Sequence, residues 1–241
     1  MPACLVAALA HAGLDAGAPE DTLDALTNRL YFYSGLDVAR DSAYAWAGTA
    51  WAPFAPMDRD GFRLRVQGGG GRYRYRTDFV AGGWNMASTV DGELLAGWQF
   101  LSGGAALALY GGINVTSDLL DHPDPSNPDQ GTHFGGKAVA ELFLKPAAGW
   151  VATAAASFST ANLTTTLRGT LARQFGPVEP GQMELGVETS FYSDRLSQEA
   201  RLGLFVAAPL LGRTFRLAGG LLWSDDSDSG LYGTLSLYVP F

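Results

Sequence analysis

The chain has 241 residues, of which 47% are hydrophobic and 17% are charged, and its net charge at pH 7 is -8. The acidic balance argues against a nucleic-acid partner, which would require a basic face. One cysteine, Cys4, excludes an internal disulfide and a cysteine-based zinc site. No run of about 18 apolar residues offers a membrane helix, and apolar residues spread out in alternation favour a β-barrel instead.

The N-terminal residues 1–28 are predicted to be a signal-like or flexible segment. Ala3–Ala10 is a short apolar run followed by small residues, which resembles the back half of a secretory signal. The basic front region of such a signal is missing, because the first Lys or Arg is Arg29. The segment is therefore either a signal whose start lies upstream or a tail without a targeting role. Residues 29–241 are predicted to form one domain.

From Arg29 onward, segments of roughly ten residues alternate apolar and polar side chains and are separated by turn residues, as in barrel strands. The first eleven predicted strands run through Leu30–Ala39, Tyr44–Trp51, Phe62–Gln67, Leu94–Phe100, Leu107–Ile113, Gly135–Lys145, Trp150–Ser159, Thr164–Phe175, Met183–Tyr192, Glu199–Val206 and Arg213–Trp223.

The last segment, Gly230–Phe241, has the pattern of a closing barrel strand. Side chains alternate faces along a strand, so residues such as Leu231 and Leu235 form an apolar face, while Tyr232 and Tyr238 lie on the other. With this strand the total is about twelve, an even number, as single-chain bacterial barrels require. The sequence therefore predicts an all-β fold, a single transmembrane antiparallel up-and-down β-barrel.

The third predicted strand continues into a glycine run. Arg63 and Arg65 occupy odd positions, but beyond Gly68–Gly71 the arginines occupy even ones, Arg72, Arg74 and Arg76. A strict period of two does not allow this without a slip of one residue. We interpret the run as a glycine bulge or as a strand that has already left the membrane. The pattern gives only weak support for a phosphate-binding loop, because no helix signal follows it and the spacing is not that of the motif.

The connections alternate in composition, as expected when a barrel has turns at one end and loops at the other. One set is rich in proline and glycine: Pro53 and Pro56, Gly103–Gly104, Pro146, Pro177 and Pro180, and Pro209. The other set is acidic and polar: Asp118–Gln130, Ser193–Arg195 and Ser224–Ser229.

The polar faces of the strands are predicted to line the barrel interior, because charges on membrane strands must point into the lumen. The predicted interior and ligand-contacting residues are Arg63, Arg65, Lys137, Glu141, Arg168, Glu184, Glu188, Arg201, Arg216, Tyr31, Tyr33 and Tyr110. We favour a salt-bridged filling over a polar channel, since a barrel of this size leaves at most a narrow passage. The tyrosines could stack on sugar rings or serve as ordinary packing.

The remaining polar residues do not form a recognisable catalytic or metal-binding motif. No Gly-x-Ser-x-Gly elbow is present, and neither His122 nor His133 shares a strand face with a serine. Glu184 and Glu188 would lie roughly 13 Å apart in an extended strand, too far for a glycosidase pair. The acidic loop lacks the residue order of a calcium-binding hand, so we predict a solvated surface loop that includes Asp118, Asp121, His122, Asp124, Asn127, Asp129 and Gln130. No metal and no cofactor is predicted.

Several of these segments together resemble the cellulose biosynthesis protein BcsS family. The matching stretches are Arg40–Gly48, Asp60–Arg65, Gly71–Tyr75, the loop His122–Gly131, and Gly136–Lys137 leading into Glu141–Leu144. The resemblance extends over roughly residues 30–241, and the later strands match mainly in pattern.

This resemblance implies a protein of the Gram-negative outer membrane that is accessory to cellulose synthesis and secretion. It transfers no catalytic residue. The leading hypothesis is therefore a non-enzymatic barrel that assists cellulose export or anchors the secretion machinery, with outer-membrane lipid, cellulose or cello-oligosaccharide, and secretion proteins as partners. The alternatives are a narrow channel, in which Arg63, Arg65, Arg168 and Arg216 favour anionic or sugar solutes, and an outer-membrane esterase or glycan-modifying enzyme.

Overall fold

The computed structural model describes residues 28–176, 182–225 and 229–240, and all regular secondary structure in these ranges is β-strand. The strands are β1 (Leu30–Ala39), β2 (Ser42–Trp51), β3 (Gly61–Arg76), β4 (Trp84–Ser102), β5 (Ala105–Leu120), β6 (Gly131–Ala147), β7 (Trp150–Ser159), β8 (Thr164–Phe175), β9 (Met183–Ser193), β10 (Gln198–Leu210), β11 (Arg213–Ser224) and β12 (Gly230–Pro240). Within the described ranges, no helix is long and apolar enough to cross a bilayer.

The twelve strands form one closed barrel in which each strand is antiparallel to its neighbours in the chain. Closure is made by β1 and β12, whose register runs from Tyr31 opposite Pro240 to Ala39 opposite Tyr232. Closure leaves no unpaired strand edge. The prediction of an antiparallel up-and-down barrel with twelve strands is confirmed.

The two faces of the strands differ as the alternation predicts. On β12, Leu231 and Leu235 are 71% and 50% exposed, whereas Tyr232 and Tyr238 are each 6% exposed. Other strands repeat this pattern, so large apolar side chains cover the outside while tyrosines and charged residues face inward. A continuous apolar exterior of this kind is the surface that outer-membrane barrels present to lipid.

The barrel has two distinct ends. At the terminus end, which holds Leu30 and Pro240, the connections include tight turns at 103–104, 148–149 and 211–212. Gly103, Gly104, Gly149 and Gly212 have positive φ there, a conformation that glycine adopts without strain. The opposite end, here called the loop end, carries the connections 77–83, 121–130 and 194–197.

Strand length is the main departure from prediction. The sequence predicts segments of roughly ten residues, but β3 to β6 have 16, 19, 16 and 17 residues. The extra residues extend these four strands at the loop end, where they form one wall of the barrel mouth. The alternation there is too polar to resemble a membrane strand, so the periodicity did not identify it.

The predicted glycine bulge is wrong. β3 and β4 pair residue by residue through the run, from Gln67 opposite Glu93 to Arg72 opposite Ser88. Odd positions therefore remain inward throughout. The even-numbered arginines point outward, where Arg72 and Arg74 pair with Asp121 and Asp41. This agrees with the alternative interpretation, a strand that continues beyond the lipid.

The glycines on the inner face make room for large aromatic rings on neighbouring strands. A Cβ atom at Gly35 would lie 2.2 Å from the ring of Trp46, and one at Gly69 would lie 2.0 Å from Tyr44 Oη. Neither position therefore accepts a side chain without displacement of a buried ring. The predictions for residues 1–27, Pro177, Pro180, residues 226–228 and Phe241 fall outside the described residues.

Candidate functional site at the loop end

Four buried charged residues meet inside the barrel on the side formed by β3 to β6. Arg65 pairs with Glu93 at 2.9 Å and with Glu141 at 2.8 Å, and Lys137 pairs with the second oxygen of Glu93. The Arg65 guanidinium also lies 5.0 Å from the centre of the Tyr110 ring. We call Arg65, Glu93, Lys137 and Glu141 the ionic layer. Two cations and two carboxylates balance in charge, which is the condition under which buried ions are tolerated.

A second group of inward charges lies on the other side of the barrel. Arg201 donates to Asp37 at 2.7 Å and to Glu199 at 2.6 Å. Below it, Glu188 pairs with Arg216 and accepts a hydrogen bond from Tyr232 at 2.6 Å. The group spans β1 and β9 to β12, so these charges join strands that meet at barrel closure.

The interior is also filled at the terminus end. Tyr31, Tyr33, Trp46 and Tyr238 form a buried aromatic cluster, and Met57 from the β2–β3 connection packs against it.

The chain of this connection, residues 52–60, is fixed by inward polar side chains. Arg63 donates to the carbonyls of Pro56 at 3.2 Å and Arg59 at 2.5 Å, and Gln99 donates to the Met57 carbonyl at 2.7 Å. The connection therefore lies across the terminus end of the barrel.

All the predicted interior residues lie on the inward faces of their strands: Arg63, Arg65, Lys137, Glu141, Arg168, Glu184, Glu188, Arg201, Arg216, Tyr31, Tyr33 and Tyr110. The structure brings them into separate groups. Arg63 belongs to the terminus end, and Glu184 accepts a hydrogen bond from Gln174 at 3.0 Å. Their role toward a ligand stays a prediction.

Above the ionic layer the barrel opens into a cavity of about 550 Å³ at the loop end, which we call the vestibule. Its floor contains Glu93 and Lys137 of the ionic layer together with Asp37 and Glu199. Its walls include Tyr44, Tyr73, Tyr75, Tyr192, Asn114, Asn162, Thr164 and Thr166. A volume in the range of roughly 300–1,000 Å³ is typical of small-molecule sites.

The β5–β6 connection, residues 121–130, folds over the mouth of the vestibule. Asp124 is 1% exposed and accepts hydrogen bonds from the Tyr75 hydroxyl at 3.0 Å and from Ser126 Oγ at 2.6 Å. Asn85 Nδ2 donates to the carbonyl of His122 at 2.8 Å. Side chains of β3 and β4 therefore hold this loop in place.

The prediction of a solvated loop is correspondingly wrong for Asp118, Asp124, Asn127 and Asp129, which are buried against the vestibule. Asp121, His122 and Gln130 are exposed as expected. The difference arises because β3 to β6 extend beyond the membrane band and give the loop a polar wall to fold against. Composition alone does not distinguish an acidic loop in water from one inside a polar mouth.

The vestibule is electrostatically negative. Among the described residues its lining holds ten carboxylates and five cations. Two effects raise the pKa of Asp129 to about 6: its burial, which is the larger, and the neighbouring negative charge of Asp194. Arg195 Nη1 approaches Asp129 Oδ1 only to 3.9 Å, so this cation offsets little of that cost.

The loop end carries two histidines, His122 and His133. The ring of His133 meets the Gln130 carbonyl through Nε2 at 3.3 Å, and His122 is exposed. In the part of the chain that the structure describes, no group of three His, Cys, Asp or Glu side chains is arranged to hold a metal ion. The vestibule instead presents aromatic rings, carboxylates and amides, the groups that bind polar organic molecules by stacking and hydrogen bonds.

Sequence reasoning missed several residues that build the site. Glu93 is the bridging carboxylate of the ionic layer, but the predicted fourth strand begins one residue after it. Asp37 lies on the predicted polar face of β1, yet its partner Arg201 is 164 positions away. Asn162 lies in the short β7–β8 connection, where no pattern marked it. Only strand pairing around the closed barrel brings these residues together.

Comparisons with known proteins agree with the fold. The model of one family, described as Cellulose biosynthesis protein BcsS, matches residues 31–241, and the chain belongs to that family. No curated protein matches the sequence.

Solved structures resemble it at low identity. The β domain of the Bordetella autotransporter BrkA has a TM-score of 0.55 at 11% identity, covering 89% of this chain and 100% of that one. LpxR from Salmonella typhimurium has a TM-score of 0.52 at 12% identity, covering 88% and 100%. The KdgM porin in complex with disordered oligogalacturonate has a TM-score of 0.53 at 8% identity, covering 88% and 99%. These likenesses show the fold, a barrel of the outer-membrane type.

Proposed function

We propose that this member of the BcsS family is a non-enzymatic outer-membrane barrel that assists cellulose biosynthesis or secretion through its loop end, with its lumen closed. The family membership gives the process, cellulose biosynthesis. The apolar exterior and the resemblance to outer-membrane barrels support the location. The proposal adds the mode of action, that of a scaffold or export accessory.

The observation that carries this proposal is the ionic layer. Arg65 and Glu141 are fully or almost fully buried and make direct contact inside the barrel, and Lys137 and Glu93 continue the contact. An ion path needs water around its charged groups, whereas these charges are paired with one another. The arrangement supports the predicted filling over the narrow channel.

The filled terminus end also supports a closed lumen. The aromatic cluster and the connection 52–60 lie below the ionic layer. A solute that entered the vestibule would therefore meet two further obstructions, which favours work done at the loop end.

The enzyme alternative is less supported. A membrane esterase requires a serine, a histidine and an acid that converge at one rim. Of the two histidines at the loop end, His122 accepts a hydrogen bond from Asn85 through its backbone carbonyl. The ring of His133 contacts the Gln130 carbonyl. The vestibule chemistry supports binding and not acyl transfer.

The test is genetic and biochemical. In a strain that produces cellulose, deletion of the gene should lower the amount of extracellular cellulose, and the tagged protein should fractionate with the outer membrane. Complementation with the Arg72→Met variant, which alters an exposed ion pair, should restore cellulose fully. Unchanged cellulose after deletion, or recovery of the protein in the cytosol, would contradict the proposal.

A further inference from the structure

Among the described residues that line the vestibule, two buried side-chain oxygen atoms accept no hydrogen bond. Asp129 Oδ1 and Asn162 Oδ1 belong to side chains that are 4% and 9% exposed and that line the cavity. They come from different elements, the β5–β6 connection and the β7–β8 connection. A buried acceptor without a donor is unfavourable, so this pair fits a ligand that brings hydrogen-bond donors.

Aromatic rings flank these acceptors from opposite walls. Tyr73 on β3 and Tyr192 on β9 are half-buried, and their strands lie six positions apart in the ring of twelve. Their hydroxyls are already engaged, with Asp118 at 3.4 Å and Asp194 at 2.9 Å. The hydroxyls anchor the rings to the wall, and both rings line the cavity, where an aromatic surface suits the C–H face of a pyranose.

The charge of the vestibule selects among sugars. Carboxylates outnumber cations in the lining, and three of the cations are already committed, Arg72 to Asp121, Arg74 to Asp41 and Lys137 to Glu93. A glycan with a carboxylate on each ring would meet like charge, which disfavours binding. An uncharged polyol donates to the carboxylates without this cost.

We propose that the vestibule binds the end of an uncharged glucan chain and rejects acidic glycans, with Asp129 and Asn162 as hydrogen-bond acceptors and Tyr73 and Tyr192 as stacking surfaces. The inference rests on the proposed function and adds to it the ligand class and the binding residues. The volume of about 550 Å³ limits the bound part to a few sugar rings. The glucan does not extend below the vestibule, because the ionic layer forms its floor.

The experiment is calorimetric titration of the purified barrel in a detergent that lacks a sugar headgroup. Cellohexaose should bind saturably, and hexagalacturonate should show no binding at the same concentration. Tyr73→Leu and Asp129→Leu should each weaken cellohexaose binding about tenfold, equivalent to about 1.4 kcal/mol. Asp129→Asn, which keeps Oδ1, should retain most of the affinity.

Matched controls separate the vestibule from general effects. Phe134→Leu removes an aromatic ring from the exposed outer face of β6, and Asp60→Asn removes an exposed charge at the terminus end, away from the vestibule. Both should bind as the unmodified protein does. Heat-modified migration on gels and circular dichroism confirm that each variant is a folded barrel.

Three results would overturn the inference: no binding of cellohexaose to the folded barrel, equal or tighter binding of hexagalacturonate, or cellohexaose binding that both vestibule variants leave unchanged. These results differ from failure of the proposed function. The cellulose and fractionation tests could succeed while binding fails, and binding could succeed in a protein whose deletion leaves cellulose unchanged.

Discussion

At the scale of single residues, the interior depends on charge balance. Arg65 serves two buried carboxylates, Glu93 and Glu141, and its own side chain has no exposed surface. Removal of this cation leaves Glu93 and Glu141 with Lys137 as the one remaining cation of the ionic layer. Buried ions without partners are far more costly than exposed ones.

Arg65→Met should therefore lower the free energy of unfolding by about 3–5 kcal/mol. The exposed pair of Arg72 and Asp121 provides the control, and Arg72→Met should cost less than about 1 kcal/mol. Urea unfolding of the barrel in lipid vesicles measures both. The double variant Arg65→Met with Glu141→Met, which restores charge balance, should be less destabilised than Arg65→Met alone. Equal losses for Arg65→Met and Arg72→Met would show that the ionic layer contributes no special stability.

Close packing of an aromatic ring on a glycine gives a second prediction. A Cβ at Gly35 would lie 2.2 Å from a ring carbon of Trp46, whereas one at Gly111 would meet no atom within 4 Å. Gly35→Ala should lower the unfolding free energy by about 1–3 kcal/mol, and Gly111→Ala should change it by less than about 0.5 kcal/mol. The same urea titration compares the two. Similar values would mean that the Trp46 ring relocates without cost.

At the scale of elements, the β5–β6 connection joins the fold to the site. Its acidic side chains turn inward because Tyr75 and Asn85, on the extended ends of β3 and β4, supply donors to Asp124 and to the loop backbone. A carboxylate whose pKa is raised in the closed loop favours closure only while it is protonated. Asp129 is such a group, with a pKa of about 6 against an ordinary value of 3.8.

Closure of this loop should therefore weaken as pH rises from about 4 to about 6 and then level off. Below that window Asp129 is protonated in both the closed and the open loop, and above it the carboxylate is ionised in both. Hydrogen exchange of residues 121–130, normalised for the intrinsic exchange rate, should show protection that falls across this window. Asp129→Asn should remove the dependence, and Asp121→Asn should leave it intact. An identical pH profile in wild type and Asp129→Asn would assign the effect to another group.

The elements also show what the sequence could and could not predict. Strict alternation placed β1, β7 and β8 at their observed bounds and put Arg65, Glu141 and Arg201 on the inner face. It did not predict the loop-end extensions of β3 to β6. Strand residues outside the lipid need no apolar outer face, so they lack the alternation on which the prediction relies. The vestibule depends on those extensions, so four of its residues, Asp118, Asp124, Asn127 and Asp129, were predicted to lie in a solvated loop. Pairing such as that of Asp37 with Arg201 depends on barrel closure, which no local pattern encodes.

At the scale of the whole molecule, three layers follow one another along the barrel axis. The connection 52–60 and the aromatic cluster occupy the terminus end, the ionic layer lies in the middle, and the vestibule opens at the loop end. The strands thus form one closed wall around two halves that differ in content. The lower half fills the barrel, and the upper half shapes a polar cavity with unused acceptors.

This order predicts the electrical behaviour of the barrel in a planar bilayer. The wild-type protein should show no steady conductance, because the paired charges of the ionic layer leave no hydrated path. Replacement of Arg65, Glu93, Lys137 and Glu141 by serine keeps the charge balanced and removes the layer, but the aromatic cluster and the connection 52–60 still fill the terminus end. Conductance should therefore rise only in a folded variant in which that connection is also shortened. Replacement of the exposed pair Arg72 and Asp121 by serine should leave the bilayer silent. Steady conductance of the wild type that cellohexaose blocks would instead place a glycan path through the lumen, and the narrow-channel hypothesis would then replace the closed scaffold.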